Sequence, residues 1–338
     1  MASRKSTAPR EALTLEEAVK VLSQKFLMQE GIAGVSHRDR LIVYVESRDH
    51  LHKVPETLFG YGVEARVVGR IYTLARPASA PVGRALTGQL IDRMARVRPV
   101  PGGVSCGHPL VTAGTVGSRV YDARTGLRLA LSNNHVIAAS NRGRPGDPVL
   151  QPGPHDGGRA PGDVFAYLER FAVIRPPPDS NLIDAAVARP VSDEVLSDEV
   201  LDVGVVTSTA EATVGMKVAK SGRTTGYTEG TVQDVNAAVK VHNYPWGYSI
   251  FEDQLITSYM AWRGDSGSLL VDARTRSAVG LVFAGSTVIT VANKISNVAR
   301  LLEVDFSPPI VRPPLILSLA PLSVGALALA ASTRPAVS

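Results

Sequence analysis

Between residues 104 and 304 the chain is cut into short β-branched runs by Gly, Asp, Asn and Pro every eight to fifteen residues. Hardly any helical period interrupts this pattern before residues 297–302. Such spacing suits an all-β barrel or sandwich and argues against a helical bundle. Thirty Gly and 23 Pro against 5% aromatics fit the same turn-rich texture. Hydrophobic residues at 44% of 338 allow a sizeable core, in one large domain or two modest ones.

The rest of the chain has a different texture. Residues 1–12 are polar and read as a flexible start. Residues 13–75 read as a small α/β module. It opens with an amphipathic helix over 13–29, with Thr14 as N-cap and Glu16 and Glu17 in the first turn. A strand pair follows around His37-Arg38-Asp39-Arg40, then a short helix over 49–58 and a strand over 63–71. His37, His50 and His52 sit beside turns and read as exposed loop residues. Residues 76–102 hold four Pro and one short helical stretch near 86–97, and read as a linker. Residues 103–304 are the β-rich domain, and 305–338 a Pro-rich and apolar tail. Within the tail, 315–331 carries no charge but is interrupted by Pro321 and Gly325 and is short for a membrane span, so a packed tail is expected rather than an anchor.

The net charge of +5 divides into +6 over residues 1–100 and −1 over the remainder, and the Arg residues there are scattered among acids. No nucleic-acid partner is expected from that pattern. Cys106 is the only cysteine, which excludes an internal disulfide and any multi-cysteine metal site. The charged residues at the start are not followed by an apolar stretch, so the expectation is a soluble, cytoplasmic protein.

Chemistry concentrates in the β-rich half. Gly264-Asp265-Ser266-Gly267 can turn tightly, expose a hydroxyl and aim amide N–H groups at one point, as acyl transfer requires. Serine is a weak nucleophile until a base activates it. Of the seven histidines, His135 alone lies directly at the end of a good strand, in Ser132-Asn133-Asn134-His135. Asp184 interrupts the apolar run Leu182-Ile183-Asp184-Ala185-Ala186, where an unpaired carboxylate is costly to bury and a histidine would relieve it. The order His135, Asp184, Ser266 excludes the α/β-hydrolase and subtilisin arrangements and matches the chymotrypsin order. A loop at His155-Asp156 reads as solvated rather than metal-binding, and Cys106 as structural. Asp122-Ala123-Arg124-Thr125 recurs as Asp272-Ala273-Arg274-Thr275 and hints at two similar halves. Trp246 and Trp262 are candidates for the cleft or the core.

On these residues the segment resembles a trypsin-like, chymotrypsin-fold serine protease over about 200 residues. Ser132 to Ala138 resembles the histidine segment, Asp184 the aspartate segment, Gly264 to Gly267 the nucleophile loop and Gly280 to Gly285 the strand lining the substrate cleft. Val218 to Gly226, Ala292 to Val298 and the lack of disulfides look closer to HtrA-like and plant narrow-leaf-type proteases than to digestive enzymes. The resemblance implies a mainly β fold of two antiparallel six-stranded β-barrels, near 103–190 and 203–295 and joined through 190–202, preceded by the α/β module. It implies catalytic His135, Asp184 and Ser266, an oxyanion hole from the backbone of Gly264 and Ser266, and a substrate pocket from Met260, Phe283, Ala284 and Gly285. Met260 stands where an aspartate would select Lys or Arg, so a small or medium apolar side chain is expected. No activating new amino terminus is evident at Ser105-Cys106-Gly107-His108. The implied activity is serine endopeptidase on protein or peptide substrates, without cofactor or metal, and open to homo-oligomerisation. Two alternatives stand beside it: an inert protease-like scaffold, and an enzyme that processes itself.

Overall fold

The computed structural model describes residues 13–74 and 91–308. The expected flexible start, most of the linker and nearly all of the tail lie outside those residues.

Helix α1 (Leu15–Phe26) starts at Thr14, whose hydroxyl accepts the Glu17 N–H at 3.2 Å while the Glu17 carboxylate accepts the Thr14 N–H at 2.8 Å. Its apolar stripe of Ala18, Val19 and Leu22 packs on β1 (Ile32–His37) and β2 (Leu41–Val45). The expected helix over 49–58 is only a 3-10 turn, Arg48–Lys53. It leads to β3 (Tyr61–Val67), parallel to β2. A two-residue strand, β4 (Tyr72–Thr73), ends this part.

The β-rich half is mainly strand, as expected. Strands β5 (Ser105–Cys106), β6 (Gly114–Thr115), β7 (Ser118–Asp122), β8 (Arg128–Ser132), β9 (Pro148–Leu150), β10 (Val164–Phe171) and β11 (Ala186–Pro190) form the first lobe. Their pairing runs β7-β8-β11-β10-β9 and returns through a Gly107–Leu150 bridge to the β5-β6 hairpin, whose second arm continues into β7. The second lobe contains β12 (Lys217–Gly222), β13 (Gly226–Tyr244), β14 (Gly247–Ser258), β15 (Leu269–Asp272), β16 (Ala278–Gly285) and β17 (Ile289–Lys294). These pair antiparallel in the closed circuit β12-β13-β14-β17-β16-β15-β12. Leu129, Leu131 and Val187 of the first lobe meet Leu269, Val271 and Leu281 of the second in one apolar core, capped by α3 (Ile295–Leu302). The expected crossover holds a short strand, Leu196–Val200, parallel to Val100–Gly102.

The amino-terminal module joins the second lobe directly: β1 pairs with β13 at Gly34–Val239 and Val35–Ala238, so its sheet continues that lobe. Tertiary pairing of strands two hundred residues apart decides this, and local patterning carries no trace of it. The end of the linker is docked as well. Residues 91–97 are not helical, and Arg93 donates to Gly103 O at 2.9 Å, to Ser221 Oγ at 2.8 Å and to the Asp202 carboxylate.

The repeated tetrapeptide makes the same turn twice. Asp122 Oδ1 accepts the N–H groups of Arg124 and Thr125 at 3.1 and 2.8 Å, and Asp272 Oδ1 accepts the Arg274 N–H at 2.9 Å. The next residue is left-handed in both, Gly126 at φ 72° and Arg276 at φ 62°. An arginine there is strained where glycine is not. Arg276→Gly should therefore raise stability by about 1 kcal/mol, read as a higher denaturant midpoint. A lower midpoint would count against this account of the turn. Among the described residues no helix is long and apolar enough to cross a membrane.

Candidate active site

Between the lobes, three side chains from distant segments form one hydrogen-bonded chain. β8 ends at Ser132, Asn133 caps the single turn α2 (Asn134–Ile137), and His135 projects from it. Asp184 precedes β11 and is fully buried. Its Oδ2 accepts His135 Nδ1–H at 2.6 Å, and its Oδ1 accepts the His135 backbone N–H at 3.1 Å. An ionised carboxylate only accepts, so the His135 proton sits on Nδ1 and leaves Nε2 a free acceptor. Nε2 lies 2.8 Å from Ser266 Oγ. Phe283 O also accepts from this hydroxyl, at a longer 3.2 Å.

Several residues that sequence reasoning passed over hold this chain. Tyr244, at the end of β13, donates its hydroxyl to Asp184 Oδ2 at 2.6 Å. Burial, then the Asp184 charge, raises the Tyr244 phenol well above its ordinary value, so it stays a donor. Trp246 stacks on Tyr244 with ring centroids 5.6 Å apart, a core role beside the site. Asn133 Nδ2 donates to Asp184 O at 2.6 Å, and Asn293 Oδ1 accepts the Asp184 N–H at 3.1 Å. The polar run Asn133-Asn134 was the one local signal; Tyr244 and Asn293 are brought in by strand pairing alone.

The serine loop is shaped by two glycines. Trp262 O accepts the Asp265 N–H at 2.9 Å around Gly264, whose φ of 101° only glycine adopts freely. A Cβ at Gly264 would lie 2.2 Å from Thr224 Oγ1, and one at Gly267 would lie 2.2 Å from Thr115 O. The Gly264 N–H points out of the turn and donates to Leu74 O. Of the sequence-predicted pocket residues, Met260 shares an apolar cluster with Leu74, Phe283 O accepts the Leu74 N–H, and Ala284 and Gly285 pair with β4. Ser266 is fully buried beneath this arrangement. Trp262 lines a cavity of about 230 Å³ together with Tyr72, Leu74 and Arg263.

Beneath the loop, Asp265 is wholly buried and paired with Lys220, Nζ to Oδ2 at 3.1 Å. Thr225 Oγ1 and the N–H groups of Trp262, Thr224 and Thr225 also donate to its carboxylate, at 2.6 to 3.1 Å. Burial alone would raise the Asp265 carboxyl, yet Lys220 and these donors hold it below the ordinary carboxylate range. The stretch Val218 to Gly226 thus serves as the cradle of Asp265. Nearby, Asp156 is ion-paired with Arg223 and accepts from Ser105 Oγ, which withdraws this one side chain from a loop where His155 is exposed, as expected. Cys106 is buried, and burial pushes its thiol up to about 12, so it stays protonated. Among the described residues no group of three or more His, Cys, Asp or Glu is placed to hold a metal ion.

No family model matches the chain, and no curated protein does. Solved structures do. A Nocardiopsis protease is 22% identical, covering 61% of this chain and 97% of that one, with a TM-score of 0.45. Cellulomonas bogoriensis chymotrypsin is 20% identical, covering 62% and 98%, at 0.44. A glutamic-acid-specific serine protease is 21% identical, covering 61% and 99%, at 0.45. Over about three fifths of its length, then, the chain is similar to serine proteases of known structure.

Proposed function

We propose that the protein is a serine endopeptidase that hydrolyses peptide bonds in protein substrates. The observation that carries this reading is the continuous chain Asp184 Oδ2, His135 Nδ1, His135 Nε2, Ser266 Oγ, beside an N–H group that already donates to a peptide carbonyl. In this mechanism Ser266 Oγ attacks the scissile carbonyl carbon as His135 Nε2 takes its proton. Asp184 keeps the imidazole in the required tautomer and stabilises its positive charge. The Gly264 N–H, with that of Ser266, stabilises the oxyanion; each such donor contributes about 3 kcal/mol in serine proteases. His135 then protonates the leaving amine, and a water molecule hydrolyses the acyl-enzyme by the reverse proton route. Met260, Phe283, Ala284 and Gly285 form an apolar specificity pocket without a carboxylate, which fits an apolar side chain and disfavours Lys and Arg. The closer likeness to HtrA-like and plant-type proteases is an expectation that this chemistry does not need.

One observation favours the inert scaffold instead: Ser266 is fully buried, with Leu74 bonded to the Gly264 N–H and to Phe283 O beside it. A fluorophosphonate probe decides between the two. It should label Ser266 in a Leu74→Gly chain, where the covering strand loses its anchor, and fail once Ser266→Ala or His135→Ala is added. A folded Leu74→Gly chain that takes no label is the scaffold.

A further inference from the structure

The segment that covers the serine is bound in the manner of an extended peptide added to a sheet edge. β4 is antiparallel to β16, with Thr73 opposite Ala284 and Tyr72 opposite Gly285. Its other edge meets β13, where Tyr72 pairs with His242 and the His242 N–H donates to Ile71 O at 2.9 Å. Asn243 Nδ2 donates to Thr73 Oγ1 at 3.1 Å, and Arg263 lies over the Tyr72 ring.

Leu74 is the residue of this segment nearest the chemistry. Its N–H donates to Phe283 O at 3.2 Å and its carbonyl oxygen accepts from the Gly264 N–H. Its side chain is buried in the cluster containing Met260, Ala261 and Val282, and Leu74 Cδ2 lies 3.7 Å from the point a Gly285 Cβ would occupy. Backbone, side chain and carbonyl are therefore all engaged at once. A loop serving only to plug a cleft has no need to offer its carbonyl to an N–H that an acyl-transfer site would turn toward an oxyanion.

We infer that the chain is its own first substrate, and that Ser266 cleaves the bond between Leu74 and Ala75. This rests on the peptidase reading above and adds to it a defined bond and a regulatory consequence. Ser266 Oγ bonds to the Leu74 carbonyl carbon while its proton passes to His135 Nε2. The C–N bond to Ala75 breaks and the amine leaves with that proton. Water then adds to the Leu74 ester, giving its proton to His135, and Ser266 departs with the proton returned. The products are a Leu74 carboxylate and a free Ala75 amine. The cut does not by itself release the amino-terminal piece. It remains paired to β13 through β1 and packed there through α1, and its last residues stay in the cleft as an inhibitor.

The test compares the full wild-type chain with Ser266→Ala and Leu74→Asp, by intact mass under denaturing conditions and by fluorophosphonate labelling. The wild type should yield one piece ending at Leu74 and one beginning at Ala75, which elute together from a native sizing column. Ser266→Ala should remain a single chain. Leu74→Asp, which places a carboxylate in the apolar pocket, should be cut at least tenfold more slowly. If it does not fold, Leu74→Gly replaces it. A wild type that stays whole while it or a folded Leu74 variant labels at Ser266 overturns the inference and leaves the peptidase standing. A cut only at another bond does the same. No cut and no label in any folded chain overturns the peptidase reading and the inference with it.

Discussion

Asp184→Asn should slow fluorophosphonate labelling of Ser266 by about 10⁴-fold, measured against the parent in the Leu74→Gly background. Asp184 accepts three hydrogen bonds at its two carboxylate oxygens, from His135 Nδ1, the His135 backbone and Tyr244. An asparagine has one accepting oxygen and one donating NH₂. The His135 backbone N–H cannot become an acceptor, so the asparagine oxygen must face it. The NH₂ then meets the imidazole, which moves its proton to Nε2 and loses the capacity to take one from Ser266. The variant keeps the shape and burial of the site, so its melting should change little while its reactivity collapses. Unchanged labelling would remove Asp184 from the mechanism.

Lys220→Met should be the most destabilising single change outside the apolar cores. It keeps most of the buried stem and deletes the ammonium that faces Asp265 within fully buried surroundings. Removing one partner of a buried ion pair costs roughly 3–5 kcal/mol, because the other charge stays behind. The pH dependence follows from the two states of Asp265. In the native chain its carboxyl lies below the ordinary range, so its contribution is present above that range and is lost as the pH falls through the folded value. Without Lys220 the largest influence opposing burial is gone, so the carboxyl should rise. The variant then binds more protons folded than unfolded, and its stability drops as the pH rises through the raised value. Denaturant midpoints of the two proteins should therefore converge on acidification and diverge toward neutrality. Equal midpoints at neutral pH would show that the pair adds nothing. The serine loop rests on Asp265, so labelling of Ser266 should fall with it.

These two residues also mark what could be read in advance. His135, Asp184 and Ser266 were legible because each breaks a local rule: a histidine at a strand end, a carboxylate in an apolar run, a serine among small residues. The Thr14 capping box and the twin Asp turns are local as well, and the sequence displays them openly. Lys220, Tyr244 and Asn293 obey local rules within ordinary strands and gain their roles only through pairings across the second lobe. The docking of the amino-terminal sheet was hidden for the same reason, since Gly34 and Val239 are neighbours only in space. β4 was hidden by its length: two residues carry no period. Asp156 read as a loop acid because its partner, Arg223, lies far along the chain.

The continuous sheet also bears on solubility. β1 covers β13 at Ala238 and Val239, both buried, and together with α1 shields Ile250 on the neighbouring strand. Stripped of residues 13–74, that margin becomes a bare row of unpaired N–H and C=O groups flanked by aliphatic side chains. Open edges of this kind recruit one another. Material trimmed of its amino-terminal sheet should consequently clump at concentrations where the complete chain stays dispersed, and charged substitutions at Ala238 should restore its colloidal behaviour.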